Sequence, residues 1–431
     1  MRTLVWSDLD AGGRAAALAR PAARRDAAMH EAVRGIVADI AARGWDALCE
    51  HAVRIDKAAP ERVPVAVAAE EARRRLTTEQ LRAMQLAVAN IEAFHAAARP
   101  ADVAVETMPG LNVRKIWRAI DTVGLYIPGG ATPLFSTLMM LAVPARVAGV
   151  GRIVVVTPPR PGGGVSNALA VAAELCGIDA IWTVGGAQAI AALAVGAGAI
   201  PRCDKICGPG NAWVAEAKTR VAAMAGGPAI DLPAGPSELM VVADASADPA
   251  TVAADLLGQA EHDAQAQVLL VTTKAALADR VAALLPALAA DLPRRAIATA
   301  ALANARVIRV ANLADAVAVA NAYAPEHLSL AVADAEALLP DIRNAGAVFA
   351  GPRAAESFAD YLAGSSHVLP TDGAARAHGG IDVHSFMKAM TVQTVSAPAA
   401  RRIAGPAATL ARLEGLEAHA RAADLRLGSG A

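Results

Sequence analysis

From Val123 onward the chain repeats one pattern: a short apolar run, a glycine-bearing turn, then an alanine-rich helix. Residues 123–127 run into Pro128-Gly129-Gly130 and a helix over 136–147. Residues 153–156 lead through a Pro/Gly loop to a helix over 165–176. Residues 180–184, Gly185-Gly186 and 187–195 repeat the unit, as do 205–207, 208–211 and 212–225. A run that is apolar at every position must be covered on both faces, and helical crossovers make successive runs parallel. The recurrence predicts a doubly wound parallel sheet. A second series begins at 239–243 and continues through 267–271, 306–310, 327–331 and 347–350. Two α/β halves in tandem are expected, changing over near residues 233–237.

The flanks follow other rules. Residues 30–58 and 77–98 space their apolar side chains three and four apart, which predicts helices, the second starting at Thr78-Glu79. The first twenty-odd residues read as a separate arm, and a helix over 407–421 closes the chain. A length of 431 residues exceeds what one core usually serves. With aromatics at 3%, the cores must be built from small aliphatic side chains.

Composition narrows the partners. The net charge is −1 and like charges are not blocked together, so neither nucleic acid nor a membrane surface is expected, and a small molecule is. Cys49, Cys176, Cys203 and Cys207 have no zinc-ribbon or disulfide spacing, which fits a reducing compartment. The N-terminal ten residues carry acids where a signal peptide needs an apolar run. A cytoplasmic protein is expected.

Several residues could carry chemistry. Gln259 and His262 are three apart, so on a helix they share a face and could hold two corners of a zinc site, or merely cap a helix. Tyr126-Ile-Pro-Gly-Gly130, Gly185-Gly-Ala-Gln188 and Gly208-Pro-Gly-Asn211 follow predicted strands, where open sheets bind ligands. The sequence has no Gly-x-Gly-x-x-Gly there. Ser237 precedes a strand, and adjacent Glu326 and His327 suit acid–base work, because imidazole changes charge near neutral pH. Asp360 and His367 flank a short loop, and Glu414 and His419 sit on the terminal helix. His378 and His384 read as solvent-facing.

In this order the motifs GLYIPGG, VGGAQAIAALA, DKICGPGN, DLPAGPSE, GQAEHDAQAQ, YAPEHL, ESFADYLAGSSHVLPT and EGLEAHA resemble the histidinol dehydrogenase family from about residue 30 to the C-terminus. Ala119 and Trp45 depart from the family's usual residues without touching a candidate site. The resemblance implies zinc- and NAD-dependent oxidation of L-histidinol through L-histidinal to L-histidine, the last two steps of histidine biosynthesis. It implies zinc ligands Gln259, His262, Asp360 and His419, an acid–base pair Glu326 and His327, and NAD contacts from Tyr126, Gln188 and Asn211. Substrate contacts would come from Ser237, His367, Glu414, His327 and the metal ligands.

The resemblance further implies a homodimer in which Glu414 and His419 reach the partner's site. The expected fold is two tandem doubly wound, incomplete Rossmann-like α/β/α domains with mainly helical N-terminal and C-terminal extensions. Residues 1–24 would form the arm. Residues 25–122 with 237–380 would form the domain carrying the metal and acid–base residues, 123–236 the NAD-binding domain, and 381–431 a dimerisation tail. A thioester route through Cys207 is the mechanistic rival. Two other readings are a related zinc/NAD dehydrogenase acting on another small alcohol or sulfonated diol, and a non-catalytic zinc- or nucleotide-binding protein.

Overall fold

The computed structural model describes residues 1–20, 27–129, 134–232 and 235–427. Gly130, in an expected turn, and Pro233-Ala234, in the expected changeover between the halves, lie outside them. Two six-stranded sheets dominate. The carboxy-half sheet runs in the order Arg2–Val5, Arg306–Arg309, Gln267–Thr272, Glu238–Ala243, His327–Ala331, Ala347–Ala350, with every pairing parallel. The amino-half sheet runs Arg62–Pro64, Ala180–Thr183, Arg152–Thr157, Thr122–Tyr126, Lys205–Cys207, Ala229–Ile230, parallel except at the Arg62–Pro64 edge. All residues of Glu238–Ala243, Gln267–Thr272 and His327–Ala331 are buried, as strands covered by helices on both faces must be.

Each sheet reverses direction once, and the two reversals place the site. In the amino half the chain moves outward from Thr122–Tyr126 and then crosses back to Lys205–Cys207. That switch point opens a crevice beyond the strands' carboxyl ends. Glycine is required there: a Cβ on Gly208, whose φ is +128°, would lie 2.0 Å from the Tyr126 carbonyl oxygen. In the carboxy half the switch lies between Glu238–Ala243 and His327–Ala331. Ser237, Glu326 and His327 stand at the amino ends of those strands, so the halves meet with opposite edges.

Three expectations are corrected. The first residues are not a separate arm: Arg2–Val5 adds an edge strand to the carboxy-half sheet. The N-terminal helices do not join residues 237–380. Met29, Val33, Ile36 and Ile40 pack with Tyr126, Val156, Ile190 and Val214, and Val65, Met84 and Ile91 pack with Leu125, Leu138 and Val155. Periodicity reveals that a helix has an apolar face, not which sheet will cover it. Finally, the extensions expected to be mainly helical also contribute strands: Val103–Met108, Leu111–Ala119 and Met387–Val395 form a three-stranded antiparallel sheet. Its strands are largely exposed and carry Arg114, Lys115, Arg118 and Lys388, so the apolar strand signal is missing.

The predicted helix over 30–58 is two, Ala27–Arg43 and Trp45–Ile55, broken at Gly44 with φ +61°. The terminal helix is likewise two, Ala397–Leu413 and Glu417–Asp424, broken at Gly415 with φ +76°. Among the described residues no helix is long and apolar enough to cross a membrane.

Candidate active site

A cleft between the halves, enclosing about 150 Å³, is lined by Ser237, Gln259, His262, Glu326, His327, Asp360 and His367 together with Gly208 and Gly210. Gln259 is the next-to-last residue of the helix Pro249–Ala260, which starts on an Asp248 cap and a first-turn proline. His262 lies just past the helix end, its N–H donating to the Gln259 carbonyl at 3.2 Å. The expected shared face survives as a turn rather than as continuous helix. Gln259 is fully buried and His262 is exposed at the cleft.

Asp360 belongs to the short helix Glu356–Tyr361. Glu356 is four residues earlier, so the two carboxyls share a face. Ligand atoms of His262, Glu356 and Asp360 all lie within 4.8 Å of one another. Glu356 was not singled out from the sequence; its signal was the Glu-x-x-x-Asp spacing inside ESFAD. Burial pushes the Asp360 carboxyl up to about 7. Burial also holds Glu356 well above the carboxylate range, helped by Asp360, Glu326 and Asp255. Asp360 Oδ1 and Glu356 Oε2 are buried without a hydrogen-bond partner among the described residues. Converging buried acids with unpartnered oxygens are costly by themselves, and a divalent cation relieves that cost. An imidazole nitrogen with amide and carboxylate oxygens is a donor set zinc accepts.

The acid–base candidates hang from a single residue. The Glu238 N–H donates to Glu326 Oε2 at 2.8 Å, and the Glu238 carbonyl lies 3.1 Å from His327 Nδ1. A carbonyl only accepts, so Nδ1 carries the proton and Nε2 is left as the basic nitrogen. Gln259 Oε1 lies 3.1 Å from the same Nδ1. With the amide turned so that Nε2 takes that place, Gln259 donates to Glu356 at 3.1 Å and to the Glu238 carbonyl at 3.3 Å. His327 Nε2 is buried and has no partner among the described residues. Burial lowers the imidazole to about 3, so it stands neutral. Burial also holds Glu326 well above the usual carboxylate range. The ring stacks on Phe349 with centroids 5.8 Å apart.

His367 is neutral and fully engaged. Its Nδ1 donates to the Asp360 carbonyl at 3.2 Å, and Nε2 accepts from the Thr137 hydroxyl at 2.9 Å. Burial lowers it to about 4. The imidazole thereby ties the Asp360 turn to the amino half.

The expected cofactor residues lie outside this lining, along the carboxyl edge of the amino-half sheet. Tyr126 Oη accepts the Gly186 N–H at 3.3 Å. Gln188 Nε2 donates to Asp56 at 3.0 Å, which also accepts the Gly185 N–H at 3.0 Å. Gln188 Oε1 is buried without a partner among the described residues, an acceptor suited to a ligand N–H. Asn211 caps the helix Ala212–Ala222 by accepting from Trp213 and Val214 N–H. The unpartnered Gln188 oxygen beside glycine loops fits a dinucleotide's amide and phosphate groups. Glu414 and His419 are exposed on the tail helices and do not line the cleft of their own chain.

Cys207 is fully buried in its strand, and burial pushes its thiol up to about 12. A thiol so protonated and enclosed is a poor nucleophile. Cys207→Ala is therefore expected to retain wild-type turnover within about threefold; a loss matching that of a His327 variant would restore the thioester route.

A model of the histidinol dehydrogenase family matches residues 19–427. Histidinol dehydrogenase of Xanthomonas euvesicatoria pv. vesicatoria is 48% identical over 429 residues, covering 99% of each chain. That of Xylella fastidiosa (strain Temecula1) is 46% identical over 430 residues, covering 100% of each. The crystal structure of histidinol dehydrogenase from Elizabethkingia anophelis superposes with a TM-score of 0.95 at 38% identity, covering 100% of this chain and 98% of that one. Sequence and architecture agree over the whole length, and the chain belongs to the histidinol dehydrogenase family of oxidoreductases.

Proposed function

We propose that this protein oxidises L-histidinol to L-histidine through L-histidinal, using one zinc ion per subunit and two NAD per turnover, in the cytoplasm. The observation that carries the reading is His327 Nε2, without a partner among the described residues, in the same cleft as His262 and Asp360, which cluster with Glu356. Gln259, His262 and Asp360 would hold the zinc, joined by His419 of a second copy. When bound, the metal supplies positive charge that offsets the converging carboxyls and orients a nitrogen-bearing substrate. NAD, held along the amino-half edge by Tyr126, Gln188 and Asn211, supplies the hydride acceptor.

The side chains divide the proton work. His327 Nε2 accepts the substrate hydroxyl proton while Nδ1–H stays anchored on the Glu238 carbonyl, so the ring does not turn during transfer. Glu326, fixed by the Glu238 N–H, is 3.7 Å from His327 Nδ1. As a carboxylate it would draw a proton from the water that hydrates the aldehyde. Ser237, His367 and Glu414 complete the substrate's surroundings, Glu414 coming with His419 from the partner tail. A homodimer is supported by apolar surface in both places the contact would need. Phe358 and Tyr361 are exposed beside Asp360, and Leu410, Leu413 and Leu425 are exposed on the tail.

The test is an NADH progress curve with limiting histidinol. The expected stoichiometry is two NADH per histidinol, abolished by a chelator and restored by zinc. One NADH per histidinol, or turnover indifferent to chelation, would overturn the reading.

A further inference from the structure

The N-terminal segment sends one charged side chain into the interior. Arg2–Val5 lies beside Arg306–Arg309, and Arg306 donates to the carbonyls of Ala17 and Ala19 at 2.6 and 2.7 Å. Arg20, thus delivered, is 15% exposed at its side chain. Its guanidinium forks onto both carboxylate oxygens of Glu238, Nη2 donating to Oε2 at 2.8 Å and Nε donating to Oε1. The same Nη2 donates to the carbonyls of Tyr323 and Ala324 at 3.0 and 3.2 Å. The guanidinium carbon lies 3.9 Å from the centre of the Tyr323 ring.

These partners are the two backbone segments that carry the acid–base pair. Glu238 presents its N–H to Glu326 and its carbonyl to His327. Tyr323-Ala324 leads directly into Pro325-Glu326-His327, with Ala324 held at φ +56°. That left-handed conformation costs an alanine energy and persists only under outside constraint. One guanidinium therefore joins two strand entries at neighbouring points. Its planar fork, two bonds to a carboxylate and two to carbonyls, is a geometry lysine's single ammonium cannot copy.

We propose that Arg20 is a positioning residue for the oxidation, locking Glu238 and the Tyr323-Ala324 turn so that Glu326 and His327 meet the substrate in register. The proposal rests on the reading of Glu326 and His327 as the acid–base pair. Without the clamp, displacements of about 1 Å at His327 are enough to slow proton transfer on the order of 100-fold.

The test uses full-length, zinc-loaded enzyme. Arg20→Ala is expected to lower kcat about 10- to 100-fold, with the KM for NAD changed by less than about twofold. Millimolar guanidinium chloride, too dilute to unfold the protein, should restore part of that turnover in Arg20→Ala and leave the wild type unaffected. Arg20→Lys should restore little. A folded Arg20→Ala enzyme with wild-type kcat overturns the proposal, and so does a loss that guanidinium does not rescue. If Arg20→Ala does not fold, Glu238→Gln serves instead, since it keeps the backbone and the side-chain shape but weakens the fork. It should show the same kcat loss, and wild-type kcat there overturns the proposal. Absence of NADH from the wild-type enzyme removes the functional reading and the clamp with it. Normal wild-type turnover beside an unaffected Arg20 variant removes the clamp alone.

Discussion

His327→Ala is expected to lower kcat for histidinol oxidation by about 10²–10⁴-fold, the range of a lost general base. The size follows from how completely the ring is committed. Nδ1 is bound to the Glu238 carbonyl at 3.1 Å, the face stacks on Phe349, and no partner among the described residues competes at Nε2 for the substrate proton. The residue is buried, so alanine also leaves a cavity, and that cost must be separated from chemistry. Zinc content and thermal midpoint measured on the same preparation make the separation. A folded, zinc-replete variant with kcat within about tenfold of wild type would assign the base elsewhere. Cys207→Ala, run in parallel, sets the contrast between an inert buried thiol and an engaged imidazole.

Lys218→Met is expected to destabilise the fold by about 3–5 kcal/mol, the cost of leaving a buried charge without its partner. Lys218 and Asp231 form an ion pair with side chains 3% and 1% exposed. Lys218 Nζ also donates to the Gly208 carbonyl at 3.1 Å, and Asp231 accepts the Gly208 N–H at 2.5 Å. The pair thus closes around the backbone of the loop that lines the cleft. Adding Asp231→Leu to Lys218→Met should recover much of the stability, because the uncompensated carboxylate is gone. Recovery stays incomplete, since Gly208 N–H then lacks an acceptor. Thermal or urea unfolding of the wild type, the single variant and the double variant checks this. A single variant within about 1 kcal/mol of wild type would place the pair among weak, solvent-screened ones.

The parallel strands were legible because burial on both faces leaves runs of consecutive aliphatics that no other environment tolerates. Residues 267–271 and 327–331, read as strands, are the observed Gln267–Thr272 and His327–Ala331. The antiparallel sheet was not legible because an exposed strand needs no such run, and Leu111–Ala119 carries two arginines and a lysine. Within the site, Gln259, His262, Glu326, His327, Asp360 and His367 were named from the sequence and share one cleft. Glu356 was passed over: its four-residue spacing to Asp360 points to a site only once His262 is seen within 4.8 Å of both. Arg20 escaped for a stronger reason. Its carboxylate partner is 218 residues away in the chain.

The family, the alternation of strand and helix, and most of the reactive side chains are written in residues close together along the chain. Tertiary structure alone decided which sheet the N-terminal helices cover and that opposite sheet edges face one another across the cleft. It alone placed the backbone of Glu238 under both Glu326 and His327. Those outcomes depend on which distant surfaces exclude water together and which buried polar groups find partners, and neither is a property of any short stretch of residues.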